Sequence, residues 1–124
     1  MILVDTSSWI HFLRPDGNRA VRARVVAALE DGSACWCPVV RLELWNGTGG
    51  ARERAILTDC ERVRQELPIT AEVWSDAHAL ARRARSRGVT VPATDILISA
   101  CASFHDAGIE TADADFARLA QLDR

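Results

Sequence analysis

Apolar residues in this chain come in two rhythms. Short unbroken runs read as strands, and longer stretches with apolar positions three and four apart read as helices. Ile2-Leu3-Val4 runs into Asp5, which predicts a strand over 2–5. A short helix follows from Ser7 to Leu13, closed by Pro15-Asp16-Gly17. Asn18 is placed to cap a helix reaching Glu30, with Val21, Val25, Ala28 and Leu29 on its apolar face. Asp31-Gly32 stops it, and Ala34 to Cys37 reads as a second strand. Pro38 suits the first turn of a helix over Val39 to Trp45, ended by Asn46-Gly47.

After Gly49-Gly50, the spacing of Ile56, Leu57, Cys60 and Val63 predicts a helix from Ala51 to Glu66. Leu67-Pro68-Ile69 reads as a connector or short strand. Thr70 caps a helix from Ala71 to Arg87, which Gly88 stops. A helix over Thr94 to His105 follows the loop 88–93 and ends at Asp106-Ala107-Gly108. Ile109 to Ala112 is the last expected strand, and Asp115 to Leu122 the last helix. Strands that alternate with helices predict an α/β fold, a mainly parallel sheet with helices on both faces. Sheet order does not follow from the pattern.

At 124 residues the chain is expected to form one domain over 1–124. A chain of that length buries roughly 65–70% of its unfolded surface. Hydrophobic content of 48% and charged content of 26% are ordinary for a globular protein. The chain begins directly with a strand, and no apolar run reaches the ~20 residues of a membrane span. The expectation is therefore a cytoplasmic protein with no signal peptide and no membrane partner. Cys35, Cys37, Cys60 and Cys101 are then expected as reduced, buried thiols; a lone Cys-x-Cys is weak support for zinc. His11, His78 and His105 match no metal spacing and are expected in structural or surface roles.

All 15 basic residues are Arg. The absence of Lys removes two rivals built on strand-end acids, a phospho-receiver domain and a haloacid-dehalogenase-type phosphatase. Each needs a lysine.

The candidate chemistry lies in acids. Asp5 ends the first strand. Glu43 stands alone among apolar neighbours in Val39-Val40-Arg41-Leu42-Glu43-Leu44-Trp45. Asp95 opens a helix with no further charge until Asp106, so that helix is expected to be buried on most sides. Asp113 and Asp115 follow the last strand. Each alone has a bland role, as a cap, a turn residue or a complement to a helix dipole. Together, at the carboxyl end of one sheet, they would repel by about 4 kcal/mol per pair at 4 Å under an effective dielectric near 20. A divalent cation relieves that simply. Oxygen-only ligands favour Mg²⁺ or Mn²⁺ over zinc.

Val4-Asp5-Thr6-Ser7, Arg41-Leu42-Glu43-Leu44 with Gly47, Thr94-Asp95-Ile96-Leu97-Ile98-Ser99-Ala100, and Thr111-Ala112-Asp113-Ala114-Asp115-Phe116 together resemble a PIN domain. More narrowly they resemble a VapC-type toxin of a bacterial toxin–antitoxin pair. The resemblance spans essentially the whole chain. It implies a three-layer α/β/α fold and a Mg²⁺- or Mn²⁺-dependent endoribonuclease. It assigns Asp5, Glu43, Asp95 and Asp113 to catalysis and, with Asp115, to the metal, and gives Thr6 or Ser7 a supporting hydroxyl. It implies a homodimer and a cognate VapB-type antitoxin whose C-terminal segment wraps the toxin. Transfer RNA, then ribosomal RNA, are the target classes it suggests. The alternatives are a PIN nuclease of RNA maturation and a catalytically silent PIN-like binding module.

Two departures from the family pattern stand out. Trp45-Asn46-Gly47 replaces a common Leu-Ala-Gly and is expected to bring an indole near the site. Ala112 and Ala114 stand where members often carry Arg or Asn, which removes a possible phosphate contact. Among the arginines, Arg82, Arg83, Arg85 and Arg87 form the densest positive stretch and are the expected RNA contacts. Arg52, Arg54, Arg62 and Arg64 form a second set. Trp9, Phe12 and Trp74 fall on apolar helix faces and are expected first in the core.

Overall fold

The computed structural model describes residues 1–63 and 65–123, without the side chains of Val63 and Asp123. Strand β1 is Ile2–Val4, followed by helices α1 at Thr6–Leu13 and α2 at Arg19–Glu30. Strand β2 is Ala34–Trp36, followed by α3 at Pro38–Gly47 and α4 at Ala51–Val63. Strand β3 is Gln65–Glu66, then α5 is Ala71–Ser86 and α6 is Ala93–Phe104. Strand β4 is Gly108–Glu110, α7 is Asp115–Ala120, and a 3₁₀ turn covers Gln121–Asp123.

The sheet order is β3-β2-β1-β4, and every pairing is parallel. Leu3 and Val4 on β1 and Cys35 and Trp36 on β2 are almost wholly buried. The two central strands thus have covered faces on both sides, as a parallel sheet between helix layers requires. Trp9 of α1 is in the core, with its ring 5.6 Å from Trp36 and edge-on to Phe12. Helix α6 buries Leu97, Ile98, Ala100, Cys101 and Ala102, in line with its uncharged sequence. All four cysteines are buried, and none of them is in a disulfide.

Three of the departures from the sequence pattern bear on the sheet and the site. The helix expected to reach Glu66 stops earlier, and Gln65–Glu66 pairs beside Cys35 and Trp36 as an edge strand. Two exposed polar residues carry no alternation by which a strand shows itself. Arg64, of the second arginine set, lies outside the described residues. Strand β1 stops at Val4 because Asp5 turns to cap α1, its side chain accepting from the Ser7 N–H. Strand β4 stops at Glu110 because Thr111 and Ala112 leave the ladder to bond Asp5 and Ser7.

The register positions the site. Val4 lies beside Glu110, and the Asp5 N–H donates to the Glu110 carbonyl at 3.0 Å. Asp5 and Thr111 therefore leave the sheet side by side. A second small cluster of Leu80, Ala84, Leu119 and Leu122, with Ile96 against it, ties α7 to α5 and α6. That packing brings Asp115 of α7 up to Asp95 of α6.

Candidate active site

Asp5 is 3% exposed. Its Oδ1 accepts from the Ser7 N–H at 2.5 Å, and its Oδ2 accepts from the Ser7 hydroxyl at 3.0 Å and from the Thr111 hydroxyl. Burial raises the carboxyl above its usual range. The hydrogen bonds from Thr111 and Ser7 work against that, and repulsion from Asp113 adds to it. The helix-cap role and membership of an acidic site thus belong to one side chain.

Asp95 sits in the first turn of α6. Its carboxyl is pushed up to about 7, first by burial. A hydrogen bond with Asp115 and repulsion from Asp113, Asp5 and Asp115 push the same way. Asp95, Asp113 and Asp115 each offer an oxygen within 4.8 Å of the others. The Asp113 Oδ1 accepts from the Asp115 N–H at 2.9 Å, which fixes the turn into α7. Three converging carboxylates that repel one another, with no histidine or thiol among them, fit a hard divalent cation. Asp5 faces the same cluster, acting on Asp95 through its charge.

Glu43 stands apart from the three. Its Oε1 accepts from the Thr6 hydroxyl at 2.8 Å. The two hydroxyls after Asp5 therefore divide their work: Ser7 holds Asp5, and Thr6 holds Glu43. Glu43 also ends a groove of about 340 Å³ that Ile10, Leu13, Leu44 and Gly47 line.

Residues without an expected role complete the site. The Thr111 hydroxyl donates to Asp5, accepts from the Asp113 N–H at 2.9 Å, and lies 3.3 Å from the Ser7 hydroxyl. The Ala112 N–H donates to the Ser7 hydroxyl at 3.0 Å. One threonine thus ties the first acid to the turn that carries the fourth. Its signal in the sequence was the Thr-x-Asp spacing at a strand end. Arg118 reaches Asp115 at 3.3 Å and the Thr90 carbonyl at 3.2 Å, a single guanidinium against several acids.

Other expected neighbours lie elsewhere. The Trp45 N–H donates to Glu61 at 2.9 Å, so the indole is tied to α4 instead of the acids. Trp74 is 49% exposed, outside the core, and lines an apolar pocket with Val39, Ala77, Ile96 and Leu97. Arg82, Arg83 and Arg85 are exposed on the last turns of α5, and Arg87 is its exposed C-cap. Arg52 and Arg54 donate to the carbonyls of Leu13 and Gly49. His105 bonds the Pro68 carbonyl at 2.8 Å. Among the described residues no helix is long and apolar enough to cross a membrane.

Comparison with known proteins gives a consistent result. The PIN domain profile matches residues 2–122. Ribonuclease VapC11 of Mycobacterium tuberculosis (strain ATCC 25618 / H37Rv) is 34% identical over 128 residues, covering 98% of this chain and 93% of that protein. Among solved structures, FitAcB from Neisseria gonorrhoeae superposes with a TM-score of 0.78 at 22% identity, over 98% of this chain and 94% of that one. VapBC2 from Rickettsia felis, bound to a DNA fragment from their promoter, gives a TM-score of 0.78 at 15% identity, over 95% and 92%. The fold is that of a known family, and this chain belongs to it: the PIN domain family, among relatives of the VapC type.

Proposed function

We propose that the chain is a Mg²⁺- or Mn²⁺-dependent endoribonuclease and the toxin of a type II toxin–antitoxin pair, cutting RNA and so stopping translation and growth. The observation that carries this reading is the convergence of Asp95, Asp113 and Asp115, with Asp5 facing them, in a chain 34% identical to a VapC ribonuclease. Asp5, Asp95 and Asp113, with Asp115, would hold the cation. The cation would neutralise the phosphate and activate water. Glu43, steadied by Thr6, orients the attacking water and takes its proton. The water oxygen bonds to phosphorus in line, the bond to O3′ breaks, and O3′ takes up a proton. The products are a 5′-phosphate and a 3′-hydroxyl. Transfer RNA or ribosomal RNA is the proposed target. Arg82, Arg83, Arg85 and Arg87 are proposed to neutralise phosphates farther along the strand.

The partners follow from the surfaces. A VapB-type antitoxin would reach the acids through the groove that Leu13, Arg14, Glu43, Leu44 and Glu53 line. A second copy would cover the face around exposed Trp74. A cytoplasmic location goes with an RNA target and an antitoxin partner.

The test maps new 5′ ends in cellular RNA after brief induction of wild type and Asp5→Asn, with the same pair assayed as pure protein with Mn²⁺. Wild type should cut and the variant should cut at least about a hundredfold more slowly, the scale on which one lost electrostatic group is felt. Asn caps a helix as well as Asp does, so the variant keeps its fold. Equal cutting by Asp5→Asn would overturn the assignment.

A further inference from the structure

The inference rests on the ribonuclease reading above and concerns the cleft beside Asp113. A cleft of about 550 Å³ opens beside Asp113, between the end of α1, the start of α2 and the turn 111–114. One wall is Thr111, Ala112, Asp113 and Ala114. Ala112 and Ala114 are exposed and bring no polar side chain. Donors for a phosphate must come from the opposite wall, where His11, Asn18 and Arg24 stand.

A backbone N–H selects the tautomer of the neutral His11 ring. The Asn18 backbone N–H donates to its Nδ1 at 3.0 Å, so that nitrogen carries no proton and Nε2 does. Among the described residues, Nε2–H has no protein partner. The loop also packs on the backbone of His11. A Cβ on Gly17 would collide with the His11 carbonyl, and Arg22 donates to that same carbonyl at 3.3 Å. Arg24 gives its Nε to Glu110 at 2.6 Å, which leaves its terminal N–H groups without a partner among the described residues.

We infer that this cleft is a subsite for the single-stranded RNA backbone, in which the Nε2–H of His11 donates to a substrate phosphate beside the scissile one and Arg24 supports it. Phosphate contacts of this kind fix the register of a strand without reading its sequence. The subsite lets the strand run past Asp113 on the α2 side of the acids.

Two substitutions separate binding from loop anchoring, because each keeps half of the ring's chemistry. H11N keeps an acceptor at the Nδ1 position and loses the outer donor. H11Q places a donor near the Nε2 position and loses the inner acceptor. The readouts are Tm, Mn²⁺ affinity by electron paramagnetic resonance, and anisotropy of a fluorescein-labelled single-stranded RNA of mixed sequence in EDTA. H11N should melt like wild type and bind Mn²⁺ like wild type, yet bind the RNA about tenfold more weakly, as expected for one hydrogen bond to a charged group. H11Q should melt lower and keep most of its RNA affinity. RNA binding by H11N equal to wild type overturns the subsite, and so does a loss that appears only in H11Q and follows its Tm. If wild type itself neither binds nor cuts RNA, the ribonuclease reading falls first.

Discussion

Glu110 and Asp113 stand three residues apart at the same end of the sheet, and their surroundings are opposite. Glu110 has a cation and a hydroxyl: Arg24 at 2.6 Å and the fully buried Ser8 hydroxyl at 2.8 Å. Its charge is answered within the protein. Asp113 faces Asp5, Asp95 and Asp115, with Arg118 reaching only Asp115. Asp5 is surrounded by hydroxyls and an N–H, which hold a carboxylate in place without cancelling its charge. An acid that is paired serves the fold. Acids crowded together are a cost to the fold that a cation supplied from outside would relieve. Position at a strand end does not separate the two kinds; the neighbours do.

The largest effect that can break this contrast is metal-linked stability. Saturating Mn²⁺, at about a hundred times its Kd, should stabilise the folded protein by about 2.7 kcal/mol. Scanning calorimetry should show that rise in wild type and in Glu110→Gln alike, and little of it in Asp95→Asn. A rise lost in Glu110→Gln but kept in Asp95→Asn would reverse the roles drawn above.

The second effect tests how the hydroxyls serve the acids. Thr111→Val removes the donor to Asp5 and the acceptor for the Asp113 N–H at nearly constant volume. Metal affinity should fall about 10–100-fold, the range for a lost partner behind a ligand. Thr111→Ser should restore most of it. Titration calorimetry reads both variants, and unchanged affinity in Thr111→Val would reduce the threonine to a packing role.

The smallest effect is a pH dependence. The folded-state pKa of Asp95 is about 7, and that of Asp5 is also raised, each above its unfolded value near 3.8. The folded protein therefore holds more protons than the unfolded chain across that window. Stability falls as pH rises from about 4 to 7, and the penalty is complete above 7. With solvent screening allowed for, roughly 1 kcal/mol is at stake, or about 4 °C in Tm for a domain of this size. The metal-free protein should melt higher at pH 5 than at pH 8, and Asp95→Asn should flatten that difference. A wild-type profile that rises with pH would show the acids to be compensated within the protein.

Much of the site was legible before any contact was known. Asp5 at the end of an apolar run and Asp95 before an uncharged helix stand out because burying a charge needs a reason. Ser7 and Thr6 were legible as hydroxyls, but their division between Asp5 and Glu43 depends on where α3 packs. Thr111 acquired its role only through a contact 106 residues away in the chain, and Arg118 joins a local contact with Asp115 to the Thr90 carbonyl 28 residues away. Trp74 reads as a core residue by spacing and is half exposed, because helical periodicity marks an apolar face and not what covers it. Gln65–Glu66 was hidden for the converse reason, since an edge strand of two exposed polar residues has no pattern to show.

By itself the sequence determined the alternation of strand and helix, the caps at Asn18 and Thr70 and the acids at strand and helix ends. Those are local consequences of side-chain type and spacing, and they hold whatever the chain does at long range. Tertiary structure decided the order β3-β2-β1-β4, which sets Asp5 beside Thr111, and the packing of α7 on α5 and α6, which sets Asp115 against Asp95. It also decided which acids stay unpaired. Charge compensation depends on distances of a few ångströms between residues far apart in the chain, and only the packed fold fixes those.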